Sequence, residues 1–316
     1  MLEELSSFDF YDLKDIEIND MIDKSNAEVY KGKCDGKDIA IKEYYIEEGE
    51  FNDDFYNELN IGESVNSERL LKIYGFSHDP SNNKYYLLME YINSGNLFNY
   101  INNSKYYTNV MNRFNKTKEI TNPYLYENTN SGNAWIYNID INNKINIVTS
   151  ILKAVKSMYD NNIIHGDLKT ANLGVHNEKN NRYIKIIDYG TCYHNTNSIH
   201  LFHTIGTNGY CAPEQEHIDK NKFLNHKSDI YSLGVIIIEV WVGDIWKYST
   251  KGENSGRNSV LYSLRRIKKE NESLEKLLRK CISLDYNKRP DIYKLYNDFK
   301  KLYSYVDVLS QSENQM

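Results

Sequence analysis

The chain has few cysteines and prolines, with only 4 of each among 316 residues. Cys34, Cys192, Cys211 and Cys281 are scattered, with no Cys-x-x-Cys pair. That spacing argues against a disulfide framework and a thiolate zinc site, and fits reduced thiols in a cytoplasmic protein. Long apolar runs are also missing. The best candidate, Val235–Ile238, falls far short of the roughly 20 residues that cross a bilayer. The start, Met1-Leu2-Glu3-Glu4-Leu5, is acidic and has no apolar signal core, so secretion is not expected. A net charge of −6 argues against a general nucleic-acid partner.

What is present suffices for a core: 40% of the residues are hydrophobic, which argues against global disorder. The length is normal for a two-lobed domain. Asparagine and tyrosine are overused, a bias like that of an AT-rich genome. Residues 1–15 read as a short polar leader. Ile22–Val29 and Lys37–Lys42 read as strands, with a Cys34-Asp35-Gly36 turn before the second. Phe51–Val65 has helical spacing through Phe51, Phe55, Leu59 and Gly62. Leu70–Phe76 and Lys84–Tyr91 read as further strands around an Asp79–Asn83 turn. Helices are expected over Ile141–Asp160, Ser228–Trp241, Ser273–Ser283 and Pro290–Tyr303, the second apolar enough to be central. A polar, Asn-rich insertion spans about 104–143, and residues 304–316 read as a polar tail.

The strongest local signal is His165-Gly166-Asp167-Leu168-Lys169-Thr170-Ala171-Asn172. Phosphoryl transfer asks a protein mainly for positioning and charge compensation. Asp167 is placed to take a hydroxyl proton, Lys169 to neutralise a moving phosphoryl group, and Asn172 to ligate a metal. After these comes the strand-like Ile186-Ile187-Asp188-Tyr189-Gly190, which delivers a carboxylate to a glycine turn. Upstream, Ile39-Ala40-Ile41-Lys42 sets one lysine among apolar neighbours, and downstream stands Gly206-Thr207-Asn208-Gly209-Tyr210-Cys211-Ala212-Pro213-Glu214.

Four such elements in this order resemble the eukaryotic protein kinases, over roughly Ile16 to Tyr303. The resemblance implies an α+β, two-lobed fold: an antiparallel-sheet N-lobe over 16–90 and a mostly helical C-lobe over 93–303. It implies ATP and Mg²⁺, with Asn172 and Asp188 as metal ligands and Asp167 and Lys169 as catalytic groups. Lys42 would hold the α/β-phosphates, oriented by Glu58, with Glu63 the alternative partner. Val29 and Ala40 would cover the adenine, Met89 would be the gatekeeper, Glu90 to Ile92 would offer the hinge, and Asn96 would meet the ribose. Glu214 would pair with Arg289, and Asp229 would brace the catalytic loop. Lys169 and Thr207 favour Ser/Thr over Tyr substrates, and the Gly-Tyr-x-Ala-Pro-Glu and Ser228–Gly234 segments resemble the tyrosine-kinase-like branch.

The sequence departs from that pattern at three places. The phosphate-covering loop has Ile22, Lys24 and Ala27 where glycines are usual, so Lys24 or Ser25 would have to contact phosphates by side chain. Gly166 replaces an arginine that usually captures a phosphorylated loop. Gly62 stands one turn after Glu58 where an apolar side chain is usual, which suggests a loosely held helix. Two functions follow. The first is a kinase acting on Ser/Thr of a protein substrate. The second is a non-catalytic relative, since the loop and Val242-Gly243-Asp244-Ile245 also resemble the mixed lineage kinase domain-like pseudokinase. Lacking that protein's helical bundle, a viral copy in the host cytoplasm would sequester a partner kinase and block necroptosis signalling.

Overall fold

The computed structural model describes residues 4–24, 27–46, 52–102, 139–178, 181–194, 206–216, 225–243, 245 and 255–313. Ser25 and most of the expected insertion, including Tyr106, Tyr107, Trp135 and Tyr137, lie outside them.

The N-terminal part is a five-stranded antiparallel sheet of β1 (Ile16–Asp23), β2 (Glu28–Cys34), β3 (Lys37–Tyr45), β4 (Ile73–Asp79) and β5 (Lys84–Glu90), in the order β1-β2-β3-β5-β4. The strand expected over Ile22–Val29 instead falls across the end of β1 and the start of β2. Only Ile16 of β1 is buried, so that strand lacks the apolar alternation by which strands are read. Residues 4–15 are no detached polar leader. Asp9 and Tyr11 bond to Phe76 along the free edge of β4, by Phe76 N–H to Asp9 O (3.0 Å) and Tyr11 N–H to Phe76 O (2.9 Å). Leu5 is buried with Tyr44, Phe55, Leu59, Phe76 and Leu87. A short polar segment thereby covers an exposed sheet edge and one end of the core.

Helix α1 (Asp53–Ser64) starts where Asn52 accepts the Phe55 N–H at 2.9 Å. It buries Phe55, Glu58, Leu59, Ile61 and Gly62. Gly62 does not loosen it. A Cβ there would lie 2.5 Å from Ile73 Cγ1 and 2.7 Å from Ile73 Cβ, so the glycine lets the helix sit close on β4.

The remainder is mostly helical: α2 (Leu97–Asn102), α3 (Ile141–Asp160), α4 (Pro213–Glu216), α5 (His226–Val242), α6 (Ser255–Glu270), α7 (Glu272–Cys281) and α8 (Ile292–Glu313). Every residue of α5 from Ser228 to Trp241 is buried, as its near-continuous apolar sequence requires. Around it pack Val148, Ile151, Leu152 and Val155 of α3 with Val260, Leu264 and Ile267 of α6. Helix α6 is not evident from the sequence, because its buried Val260, Leu264 and Ile267 are interspersed with Arg257, Arg265, Arg266, Lys268 and Lys269. Helix α8 runs ten residues past Tyr303, where the sequence predicts its end. Two small antiparallel pairs complete the fold: β7 (Leu173–Glu178) with β8 (Asn181–Ile186), and β6 (Ile163–Ile164) with β9 (Tyr193–His194). Leu71 N–H donates to Ile186 O at 2.9 Å and Ile186 N–H to Arg69 O at 3.1 Å, joining the sheet region to the helical one. No helix among the described residues is long and apolar enough to cross a membrane.

Candidate active site

Between the two regions lies a cavity of about 280 Å³. Val29, Ala40, Leu71, Met89, Ile92 and Ile187 form its apolar walls, and Lys42, Asn172 and Asp188 its polar end. Ile22, Glu90 and Asn96 also line it. An apolar slot with a few convergent polar groups is the usual form of a small-ligand site. Leu71 and Ile187 were missed in the sequence, where they look like ordinary strand residues. Their place in the wall follows from the two backbone bonds that join residues 69–71 to Ile186.

The sheet register sets the polar end. Val29 pairs with Lys42, and Lys42 with Leu87, so Lys42 points beneath the sheet toward α1. Its Nζ lies 2.5 Å from Glu58 Oε1 and 3.6 Å from Asp188 Oδ1. Glu63, the alternative partner, takes no part in this pair. Burial opposes the Lys42 charge, but the Glu58 and Asp188 carboxylates outweigh it and hold the ammonium well above its ordinary pKa. Burial also pushes the Glu58 carboxyl up to about 7, against the pull of Lys42. At Asp188 burial works upward too, but the Lys42 ammonium dominates and the carboxyl falls to about 2.

Asp167, Lys169 and Thr207 form a triangle. Lys169 Nζ donates to Asp167 Oδ2 at 2.8 Å and to Thr207 Oγ1 at 2.9 Å, while the Thr207 hydroxyl donates to Asp167 Oδ1 at 2.7 Å. Asn172 Nδ2 donates to the Asp167 backbone oxygen at 2.9 Å, which fixes the orientation of its amide. Asp229, buried in α5, accepts the His165 N–H at 2.9 Å and the Gly166 N–H at 3.0 Å. Those two bonds hold Gly166 at φ +79°, a conformation that glycine takes without strain. Gln215 Nε2 then donates to Gly166 O at 2.8 Å, while Gln215 Oε1 accepts the Ala212 N–H at 2.7 Å. One amide therefore ties the 206–216 segment to the His165–Asn172 loop. Arg289 forks onto Glu214 at 2.6 and 2.8 Å, as the motif implied.

One expected contact is placed elsewhere. Lys24 does not line the cavity; its amine pairs with Glu28 at 2.7 Å, and Glu28 also accepts the Tyr30 hydroxyl at 2.9 Å. The side chain of Glu90 accepts from Lys185 at 2.7 and 2.6 Å, so only its backbone is left to face the cavity, as the resemblance expected of a hinge. Asn96 faces the cavity, but its Oδ1 accepts the Asn99 N–H at 2.9 Å and so starts α2.

No group of three or more His, Cys, Asp or Glu side chains among the described residues forms a metal cage. One carboxylate, Asp188, and one amide, Asn172, suit a magnesium ion that takes its other ligands from phosphate and water. An apolar slot ending in a paired lysine, a metal-competent carboxylate and a lysine-backed aspartate is the arrangement that the resemblance to protein kinases implied. The protein kinase domain family matches residues 25–299, and the chain belongs to that family. A probable serine/threonine-protein kinase of Dictyostelium discoideum is 27% identical over 94% of this chain and 20% of its own length. An ankyrin repeat-containing protein kinase of the same organism is 28% identical over 68% of the chain and 12% of its length. A G-type lectin S-receptor-like serine/threonine-protein kinase of Arabidopsis thaliana is 27% identical over 71% and 24%. The chain thus spans a quarter or less of each of these relatives.

Proposed function

We propose that this chain transfers the γ-phosphate of ATP to Ser or Thr side chains of a protein substrate, as a member of the tyrosine-kinase-like branch. The Asp167–Lys169–Thr207 triangle carries the proposal. A substrate hydroxyl at Asp167 gives up its proton to a carboxylate whose two oxygens are already oriented by Lys169 and Thr207. Lys169 also lies where negative charge develops, and its positive charge offsets it. Lys42, braced by Glu58, supports the α/β-phosphates, and the apolar walls hold the base. Asn172 and Asp188 would hold Mg²⁺, which supplies charge neutralisation to the phosphates when bound. The Thr207 contact and the names of the relatives both favour Ser/Thr substrates.

One observation favours the second reading, a non-catalytic partner of another kinase. With Ile22 and Ala27 at glycine positions and Lys24 engaged by Glu28, the loop offers the phosphates less backbone approach. The test pairs turnover on a generic Ser/Thr substrate with capture of a partner kinase domain. The forms compared are wild type, Asp167→Asn and the triple change Ile22→Gly, Lys24→Gly, Ala27→Gly. Catalysis predicts that Asp167→Asn cuts turnover by roughly 10²–10⁴ with little loss of ATP affinity, and that the triple change raises turnover. No turnover in any form, with capture retained in all three, would overturn the kinase reading and leave the non-catalytic one.

A further inference from the structure

Helix α1 presents two adjacent polar side chains to different parts of the cleft. Glu58 meets Lys42. Asn57, about 100° away around the helix, reaches the segment that follows Asp188. Its Nδ2 donates to Tyr189 O at 3.0 Å, Gly190 O at 3.1 Å and Cys192 O at 2.5 Å. A primary amide has two N–H protons, so three carbonyls converge on two donors. These acceptors are 132 to 135 residues away in sequence, so the contact joins two separate parts of the fold.

The same segment has two other anchors. The Tyr189 hydroxyl donates to Leu71 O at 2.9 Å, and Thr191 Oγ1 donates to His165 O at 2.9 Å. Neither of these reaches α1. Without Asn57, the hydrogen bonds from α1 to this part of the cleft would, among the described residues, be those of the one side chain Glu58, which meets Lys42 and Asp188. Asn57 closes a circuit from α1 through residues 189–192 and Asp188 to Lys42, then back to α1 through Glu58.

We propose that Asn57 is a positioning residue that bolts residues 189–192 to α1, so that Glu58 and Asp188 are held as one unit around Lys42. The consequence for metal and nucleotide rests on the kinase reading above, whereas the bolt itself does not. Asn57→Ala removes the donor, and Asn57→Asp keeps the size but sets a carboxylate against carbonyl oxygens. Losing the two donors should cost about a factor of ten in the stability of the closed segment.

The experiment has two arms on the full chain, with both variants so that one misfolded protein does not end it. In nucleotide-free protein, hydrogen exchange is followed at the Gly190 and Cys192 amides, which bond to Asp188 Oδ1 and Tyr189 O. Exchange about tenfold faster than wild type is expected, and unchanged exchange overturns the bolt. In the second arm, ATP affinity is measured in EDTA and in excess MgCl₂, with Asp188→Asn as the reference. The magnesium gain should fall about tenfold toward that reference while the affinity in EDTA stays constant. Faster exchange with the magnesium gain intact overturns the positioning role. A wild type with no magnesium gain refutes the kinase reading instead, and the exchange arm alone then decides the bolt.

Discussion

Replacing Gly62 by alanine sets two known effects against each other. In an exposed helix interior the change gains about 1 kcal/mol, because glycine loses more backbone freedom on folding. Here the new methyl would lie 2.5, 2.6 and 2.7 Å from Cγ1, Cδ1 and Cβ of Ile73. Carbon atoms are at their best near 3.5–4.0 Å. Ile73 is β-branched and stiff about χ1, and the Cβ contact is with the root of the side chain, so swinging the tip away gives no relief. Overpacking of this kind costs about 1–3 kcal/mol. The helix gain offsets about 1 kcal/mol of it, and a net loss of up to about 2 kcal/mol is expected from urea unfolding. Moving α1 off β4 also draws Glu58 from Lys42, so the magnesium-dependent affinity for ATP should weaken with it. Ile73→Ala makes room, and in the double mutant the cost of the added methyl should fall by at least 1 kcal/mol. A Gly62→Ala protein more stable than wild type would refute the close-packing argument and restore the loosely held helix.

Leu5→Ala should cost about 2–4 kcal/mol, because Leu5 is only 3% exposed within an aromatic cluster. A polar leader would predict a change within about 0.5 kcal/mol, and chemical denaturation separates the two. Arg289 is fully buried and forks onto Glu214, so Arg289→Ala should cost about 3–5 kcal/mol by leaving that carboxylate unpaired. Arg289→Lys should recover little of it, since an ammonium cannot reproduce the fork. The Asp188 carboxyl sits at about 2 in the folded protein against an ordinary 3.8. Its stabilisation of about 2 kcal/mol is therefore complete above about pH 5 and lost as pH falls through 3.8 toward 2. Asp188→Asn should flatten that part of the stability–pH curve, and an unchanged acid limb would show that the charge is not held by Lys42.

Much of the site was legible because phosphoryl transfer needs particular side chains at short, fixed spacings. The stretch from His165 to Asn172, the carboxylate before Gly190 and the lysine at the end of Ile39–Lys42 each sit on one local element. Backbone geometry then leaves those residues few alternatives. The α+β order and the apolar α5 were readable for the same reason, since a near-continuous apolar helix belongs at a centre. What stayed hidden depends on partners remote in sequence. Gly62 looks like a defect until Ile73 is placed against it, and residues 4–15 look like a tail until the edge of β4 is there to bond them. Lys24 looks available for phosphate until Glu28 is set beside it. Asn57 is one polar residue on a helix until residues 189–192 arrive more than 130 positions later. The sequence determined which chemical groups the protein owns and on which local elements they stand. The tertiary structure decided which of them meet, because close packing and hydrogen bonding act on distances that chain order does not record.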